Sequence, residues 1–163
     1  MTQITQNRVV VFVARAIATG FGAGFAPVAP GTFGTLVAVP IAWALSGLSL
    51  PAYLAVTAGV TLLAIGCARV ADDSWGTHDT GRIVVDEIAG YLTTMALVPR
   101  DHPLALAAGF VLFRILDITK PPPARWIDRR LPGGAGVVLD DVTVGVYGAA
   151  LLYLGWRFLP LAP

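Results

Sequence analysis

Ten acidic residues serve the whole 163-residue chain, and most of them border apolar runs. Asp86 and Glu87 sit in Ile-Val-Val-Asp-Glu-Ile-Ala-Gly-Tyr, and Asp117 in Phe-Arg-Ile-Leu-Asp-Ile-Thr-Lys-Pro. Asp140 and Asp141 sit in Val-Val-Leu-Asp-Asp-Val-Thr-Val-Gly. Ionisable side chains in such surroundings are costly and by default mark a functional site. Plainer roles exist. One of Asp140 and Asp141 could cap a helix start, and Asp86 and Glu87 could favour the positive end of a helix dipole. A cap, however, needs one carboxylate. Two adjacent pairs plus Asp117 give a charge of about −5 on one face, which repels itself unless cations occupy it. Oxygen ligands without a His/Cys set suit Mg²⁺ or Mn²⁺ rather than zinc. Mg²⁺ keeps waters and commonly bridges to a substrate phosphate, which would supply the remaining ligands.

Basic and glycine-rich stretches answer the acids. Arg114 precedes Asp117 by one helical turn, so the two share a face; such a pair is often structural. Lys120 stands just before Pro121-Pro122-Pro123, which stops the helix, and beside the acidic layer. Either base could hold a phosphate oxygen. Gly20 to Thr35 reads as a glycine-proline loop opening a helix, whose backbone N–H groups suit an anion. Gly31, Thr32, Gly34 and Thr35 are its candidate phosphate-binding positions. It is not a Walker loop, because the Gly-Lys-Ser/Thr ending is missing. His78-Asp79 precedes the first acidic helix, where His78 could carry a proton or support a ligand; a surface His is more often only solvated. His102 falls at the opposite tip. The single Cys67 lies in an apolar run with no metal-ligand spacing and reads as helix filling.

The elements that must position these groups are helices. Apolar segments run over Val9 to Ala18, Thr35 to Leu48, Ala52 to Ala71, Ile83 to Val98, Leu104 to Ile118 and Val142 to Leu159, and their Leu/Ala/Val content favours helix. With 56% hydrophobic and 13% charged residues, a fold this small has too few charges to cover a soluble surface, so the bilayer is its solvent. Several segments fall short of the ~20 residues of a full span. One domain, 1–163, is expected: an all-α integral membrane bundle with short transmembrane hairpins. A net charge of +1 gives no basic field for nucleic acid. The first apolar run holds Arg15 and lacks a small-residue cleavage site, unlike a cleaved signal peptide.

Gly47 to Pro51 and Pro99 to Pro103 read as hairpin tips. Every other loop then falls on the opposite side, with Arg82, Lys120, Arg125, Arg129 and Arg130, against Arg100 and Arg157 at the tips. Lys/Arg excess marks the cytoplasmic side, so the polar site is expected to face the cytoplasm. Asp86 lies twelve residues before Val98 and Asp117 thirteen after Leu104. Those separations put them ~18 and ~20 Å from the tip at ~1.5 Å per residue, level on neighbouring helices. Asp140 and Asp141 are expected to begin the last helix at the same face.

Four stretches in order resemble the phosphatidylglycerophosphatase A family: residues 24–35 (GFAPVAPGTFGT), 78–90 (HDTGRIVVDEIAG), 109–121 (GFVLFRILDITKP) and 133–145 (GGAGVVLDDVTVG). Val138, Val144 and Thr35 stand where the family pattern has Met, Ala and Ser, each keeping approximate size or hydroxyl chemistry. The resemblance implies an all-helical, Mg²⁺-dependent lipid phosphatase of the bacterial inner membrane. Its reaction would be hydrolysis of phosphatidylglycerophosphate to phosphatidylglycerol and phosphate. The motif residues it carries over are Asp79, Asp86, Glu87, Asp117, Asp140 and Asp141, with His78, Arg114 and Lys120.

The expected mechanism has Asp86, Glu87, Asp140 and Asp141, with Asp117 nearby, binding one or two Mg²⁺. Lys120, Arg114 and the 31–35 backbone would offset phosphoryl charge, and His78 or a free carboxylate would handle the proton. Direct attack by water is preferred over an aspartyl-phosphate. A CDP-alcohol phosphatidyltransferase also clusters aspartates, but its Asp-Gly-x-x-Ala-Arg opening is absent. So are the Ser-Gly-His of phosphohistidine lipid phosphatases and a haloacid-type Asp-x-Asp. A small cation transporter or channel component would want carboxylates at mid-depth, and here they fall at helix ends. A related phosphatase acting on another phosphorylated lipid is a further alternative. A monomer and a homo-oligomer would look alike in this sequence.

Overall fold

The computed structural model describes residues 7–77 and 80–158, and these form helices joined by short turns. Helix α1 (Arg8–Ala18) starts at Asn7, whose side chain accepts the Val9 and Val10 N–H groups. A 3₁₀ turn at Ala23–Phe25 leads to α2 (Pro30–Ala44), opened by a proline that has no N–H to leave unpaired. Helix α3 (Leu50–Trp75) ends at Gly76, whose φ of 67° supplies the left-handed cap. Helix α4 (Val85–Thr94) runs on into a 3₁₀ turn at Met95–Leu97. Helix α5 (Pro103–Thr119) is capped by His102, which accepts the Leu104 N–H, and stops at Lys120. Helices α6 (Ala124–Arg130) and α7 (Gly134–Phe158) complete the bundle. Two of these, α3 and α7, are long and apolar enough to cross a membrane.

Two features depart from the sequence reading. Helix α6 is too short and too rich in arginine to carry an apolar period. Helix α7 begins eight residues before the apolar run at Val142, so Asp140 and Asp141 lie well inside it rather than at its start. Neither is a helix cap. The Gly-Gly-Ala-Gly opening has poor helix propensity, but close packing uses it. A Cβ on Gly136 would lie 2.1 Å from the Leu131 carbonyl oxygen, and one on Gly134 would lie 2.3 Å from that of Ile65.

Helix α4 is the hub. Its Val85, Ile88, Ala89, Tyr91 and Leu92 are all buried, between α7, α2, α3 and α5. The α4–α7 crossing is closest at Gly145, where a Cβ would stand 2.4 Å from the Gly90 carbonyl oxygen. The Tyr53 hydroxyl donates to the Leu92 carbonyl at 2.7 Å, and that of Tyr91 to the Leu106 carbonyl at 2.9 Å. Edge-on contact of Tyr91 with Phe113 fills the space between α4 and α5.

The bundle has two chemically distinct ends. At one, Arg100 donates to the Leu48 and Ala96 carbonyls and covers the Tyr53 ring at 3.9 Å. His102 meets Trp156 edge-on there. Both hairpin tips and the end of α7 therefore gather together. At the other end the Val84 N–H donates to Ala18, Arg15 bonds Ser74, and Lys120 pairs with Asp140. All the acidic motif residues described are at this second end.

Candidate active site

The α4–α7 crossing brings distant parts of the sequence into one cluster. The first turn of α4 carries Asp86 and Glu87, and α7 presents Asp141 to them. Each of the three offers a carboxylate oxygen within 4.8 Å of the other two. Asp86 Oδ1, Glu87 Oε2, Asp140 Oδ1 and Asp141 Oδ2 are buried with no hydrogen-bond partner. Unpaired carboxylates cost several kcal/mol each when removed from water (on the order of the effective ion penalty), so the arrangement is costly without a counter-ion. The donor set is all hard oxygen. The residues present therefore fit a divalent cation such as Mg²⁺ or Mn²⁺.

Bases line the edges of the cluster. The one-turn spacing of Arg114 and Asp117 produces an ion pair, with Nη1 2.8 Å from Asp117 Oδ2. The same nitrogen lies 3.6 Å from Glu87 Oε1, a charge contact beyond hydrogen-bond range. It also faces the Thr35 hydroxyl at 3.5 Å, which itself donates to the Gly31 carbonyl at 2.9 Å. At Gly31 a Cβ would stand 1.9 Å from Glu87 Oε1, so any side chain there would displace that carboxylate. The start of α2 thus rests against the Glu87 carboxylate. The other proposed loop positions also make contacts within the fold. Gly34 packs on Val84, where a Cβ would meet its side chain at 2.6 Å, and the Thr32 N–H is taken by the Ala29 carbonyl.

On the far side of the cluster, Lys120 pairs with the buried Asp140 and lies 3.7 Å from Asp128 on α6. Burial pulls the Lys120 pKa down. The hydrogen bond and charge of Asp140, with Asp141 and Asp128, outweigh that and hold it above the ordinary lysine value. Lys120 is therefore a fixed positive charge across the physiological range.

The five acids of the sequence reading thus divide by partner. Asp86, Glu87 and Asp141 share the cluster, while Asp117 is held by Arg114 and Asp140 by Lys120. His78 and Asp79 lie outside the described residues. His102 is at the opposite end of the bundle, and Cys67 is buried in helix packing. Asp128 was not singled out by sequence. It belongs to a short arginine-rich helix with no apolar register, and nothing in its local pattern marks it.

Known proteins resemble this chain over nearly all of that machinery. The family profile of phosphatidylglycerophosphatase A matches residues 16–156. A phosphatidylglycerophosphatase A of Escherichia coli is 42% identical over 146 residues, covering 89% of this chain and 84% of the relative. One from Haemophilus influenzae is 36% identical, over 84% of this chain and 85% of the relative. A Bacteroides thetaiotaomicron protein named putative phosphatidylinositol-3-phosphatase is 41% identical, over 83% and 89%. No solved structure matches the chain. With the matched region spanning the acidic cluster and both of its bases, the chain belongs to the phosphatidylglycerophosphatase A family and is a phosphatase.

Proposed function

We propose that this enzyme hydrolyses phosphatidylglycerophosphate to phosphatidylglycerol and inorganic phosphate, with Mg²⁺, in bacterial phospholipid biosynthesis. The observation that carries this reading is the set of unpartnered buried carboxylate oxygens between two fixed cations, Arg114 and Lys120. Asp86, Glu87 and Asp141 would hold the metal, with Asp140 and Asp117 at its margin. A divalent cation held there would supply positive charge for the phosphoryl oxygens and would make water more acidic. The guanidinium of Arg114, oriented by Asp117, and the ammonium of Lys120 hold phosphoryl oxygens from opposite sides. Both charges are in place before the reaction, so little reorganisation is needed as charge develops. The bare Cα of Gly31 leaves the Glu87 carboxylate its position. His78, or a carboxylate outside the metal set, takes the proton from water.

In this reading the site faces the cytoplasm at the inner membrane. Arg82, Lys120, Arg125, Arg129 and Arg130 gather at its end of the bundle, against Arg100 and Arg157 at the other. The acyl chains remain in lipid while the headgroup reaches the cluster. Carboxylates at one end of the bundle, rather than at mid-depth, favour hydrolysis over cation transport.

The name of the Bacteroides relative supports a second reading, hydrolysis of a different phosphorylated headgroup on the same cluster. Phosphate release by the purified protein in detergent separates the two. Phosphatidylglycerophosphate is expected to be turned over much faster than phosphatidic acid or phosphatidylinositol 3-phosphate, in a reaction that EDTA abolishes. A preference for either of the other lipids would replace the substrate and keep the chemistry.

A further inference from the structure

Asp128 belongs to none of the four motif stretches, yet its carboxylate reaches the site. Helix α6 is clamped on both sides. Ala124 is fully buried, Arg125 donates to the Thr119 carbonyl, and the Tyr147 hydroxyl donates to the Pro122 carbonyl. The turn after α6 rests on α7 through the Leu131 carbonyl at Gly136. Lys120 is fixed at its backbone too, with a φ of 40° and its N–H bonded to Leu116. Its ammonium then lies between two carboxylates of unlike setting. The inner one, Asp140, is 1% exposed at its side chain, and the outer one, Asp128, is 31% exposed.

We propose that Asp128 is a positioning residue: it steers the Lys120 ammonium, already bonded to Asp140 on its inner side, from the outer side, so that it meets the substrate phosphate. An ammonium held by one inner carboxylate alone is free to swing about that bond. A second carboxylate 3.7 Å away on a separate, clamped helix adds a directed charge contact that limits the swing and leaves N–H donors for phosphate. The inference rests on the reading that Lys120 holds a phosphoryl oxygen.

The test is steady-state kinetics of the full-length enzyme in detergent, with Mg²⁺ and phosphatidylglycerophosphate. Asp128→Asn is expected to raise KM roughly fivefold, the change that ~1 kcal/mol of a partly exposed ion pair gives, with kcat within about twofold. The inhibition constant of inorganic phosphate should rise with KM. Asp128→Glu should restore both, and Asp128→Asn should add nothing in a Lys120→Ala background. A KM unchanged in Asp128→Asn while Lys120→Ala raises it would overturn the proposal. So would an equal further rise in the Lys120→Ala background, which is what a merely structural role gives. Unchanged kinetics in Lys120→Ala would remove the phosphate-holding role, and the proposal with it.

Discussion

Asp141 is 2% exposed, has a carboxylate oxygen with no partner, and faces two further acids from α4. Packing alone would not select that arrangement, since like charges in low dielectric destabilise the fold that holds them. Neutralising one member should therefore separate stability from activity. Asp141→Asn is expected to raise the thermal midpoint in EDTA by a few degrees, the ~2–4 °C that ~1 kcal/mol gives in a domain of this size. It should also lower phosphate release by roughly 10² or more and blunt the stabilisation that Mg²⁺ gives the wild type. Thermal unfolding in detergent with and without Mg²⁺, alongside turnover, checks all three. Gly31→Ala tests the opposite wall of the site. Its Cβ would lie 1.9 Å from Glu87 Oε1, so the carboxylate must move. The Mg²⁺ concentration for half-maximal activity should rise, with kcat/KM down roughly tenfold or more, since an ångström of misplacement costs that much. These acids were legible in sequence because a carboxylate in an apolar run is conspicuous. Their division of labour was not. That Asp117 belongs to Arg114 and Asp140 to Lys120 depends on which helices cross, and Asp128 carried no local signal at all.

At the scale of elements, the site exists because α4 and α7 touch backbone to backbone. Gly145→Val puts a branched side chain where a Cβ already meets the Gly90 carbonyl at 2.4 Å. The expected cost is ~1–3 kcal/mol of stability or more. Phosphate release should also be lost, because the change parts Asp86 and Glu87 from Asp141. Gly59 on the exposed side of α3 is the control, since a Cβ added there would meet nothing within 4 Å. Gly59→Ala should keep full activity and gain up to ~1 kcal/mol from helix propensity. Thermal midpoints and turnover of the two variants check the contrast. Apolar period revealed α1 to α5 to within a few residues, and the two hairpin tips were marked by Pro and Gly. It failed at the start of α7, Gly134 to Asp141, where two glycines and two aspartates interrupt the apolar run and the glycines pack against the Ile65 and Leu131 carbonyls. It failed again at α6, a short arginine-rich stretch held by tertiary contacts rather than by its own pattern.

For the molecule as a whole, the reading of two hairpin tips on one side matches the described residues, where Arg100 ties one tip to the other and Lys120 joins the opposite end. Which end meets the cytoplasm is open to direct labelling. In a Cys67→Ala background, Gly47→Cys and Arg129→Cys should react with an impermeant thiol reagent from opposite sides of the membrane. Arg129→Cys should label only in inverted vesicles, and labelling in intact spheroplasts would reverse the orientation. The central claim, however, is chemical: the α4–α7 carboxylates bind the cation on which phosphate hydrolysis depends. Its most direct test is phosphate release from phosphatidylglycerophosphate by purified wild-type and Glu87→Gln proteins across a Mg²⁺ titration. Saturable, EDTA-sensitive release by the wild type and none by the variant is the result predicted here. Release that survives EDTA, or a variant that keeps the wild-type Mg²⁺ response, would contradict it.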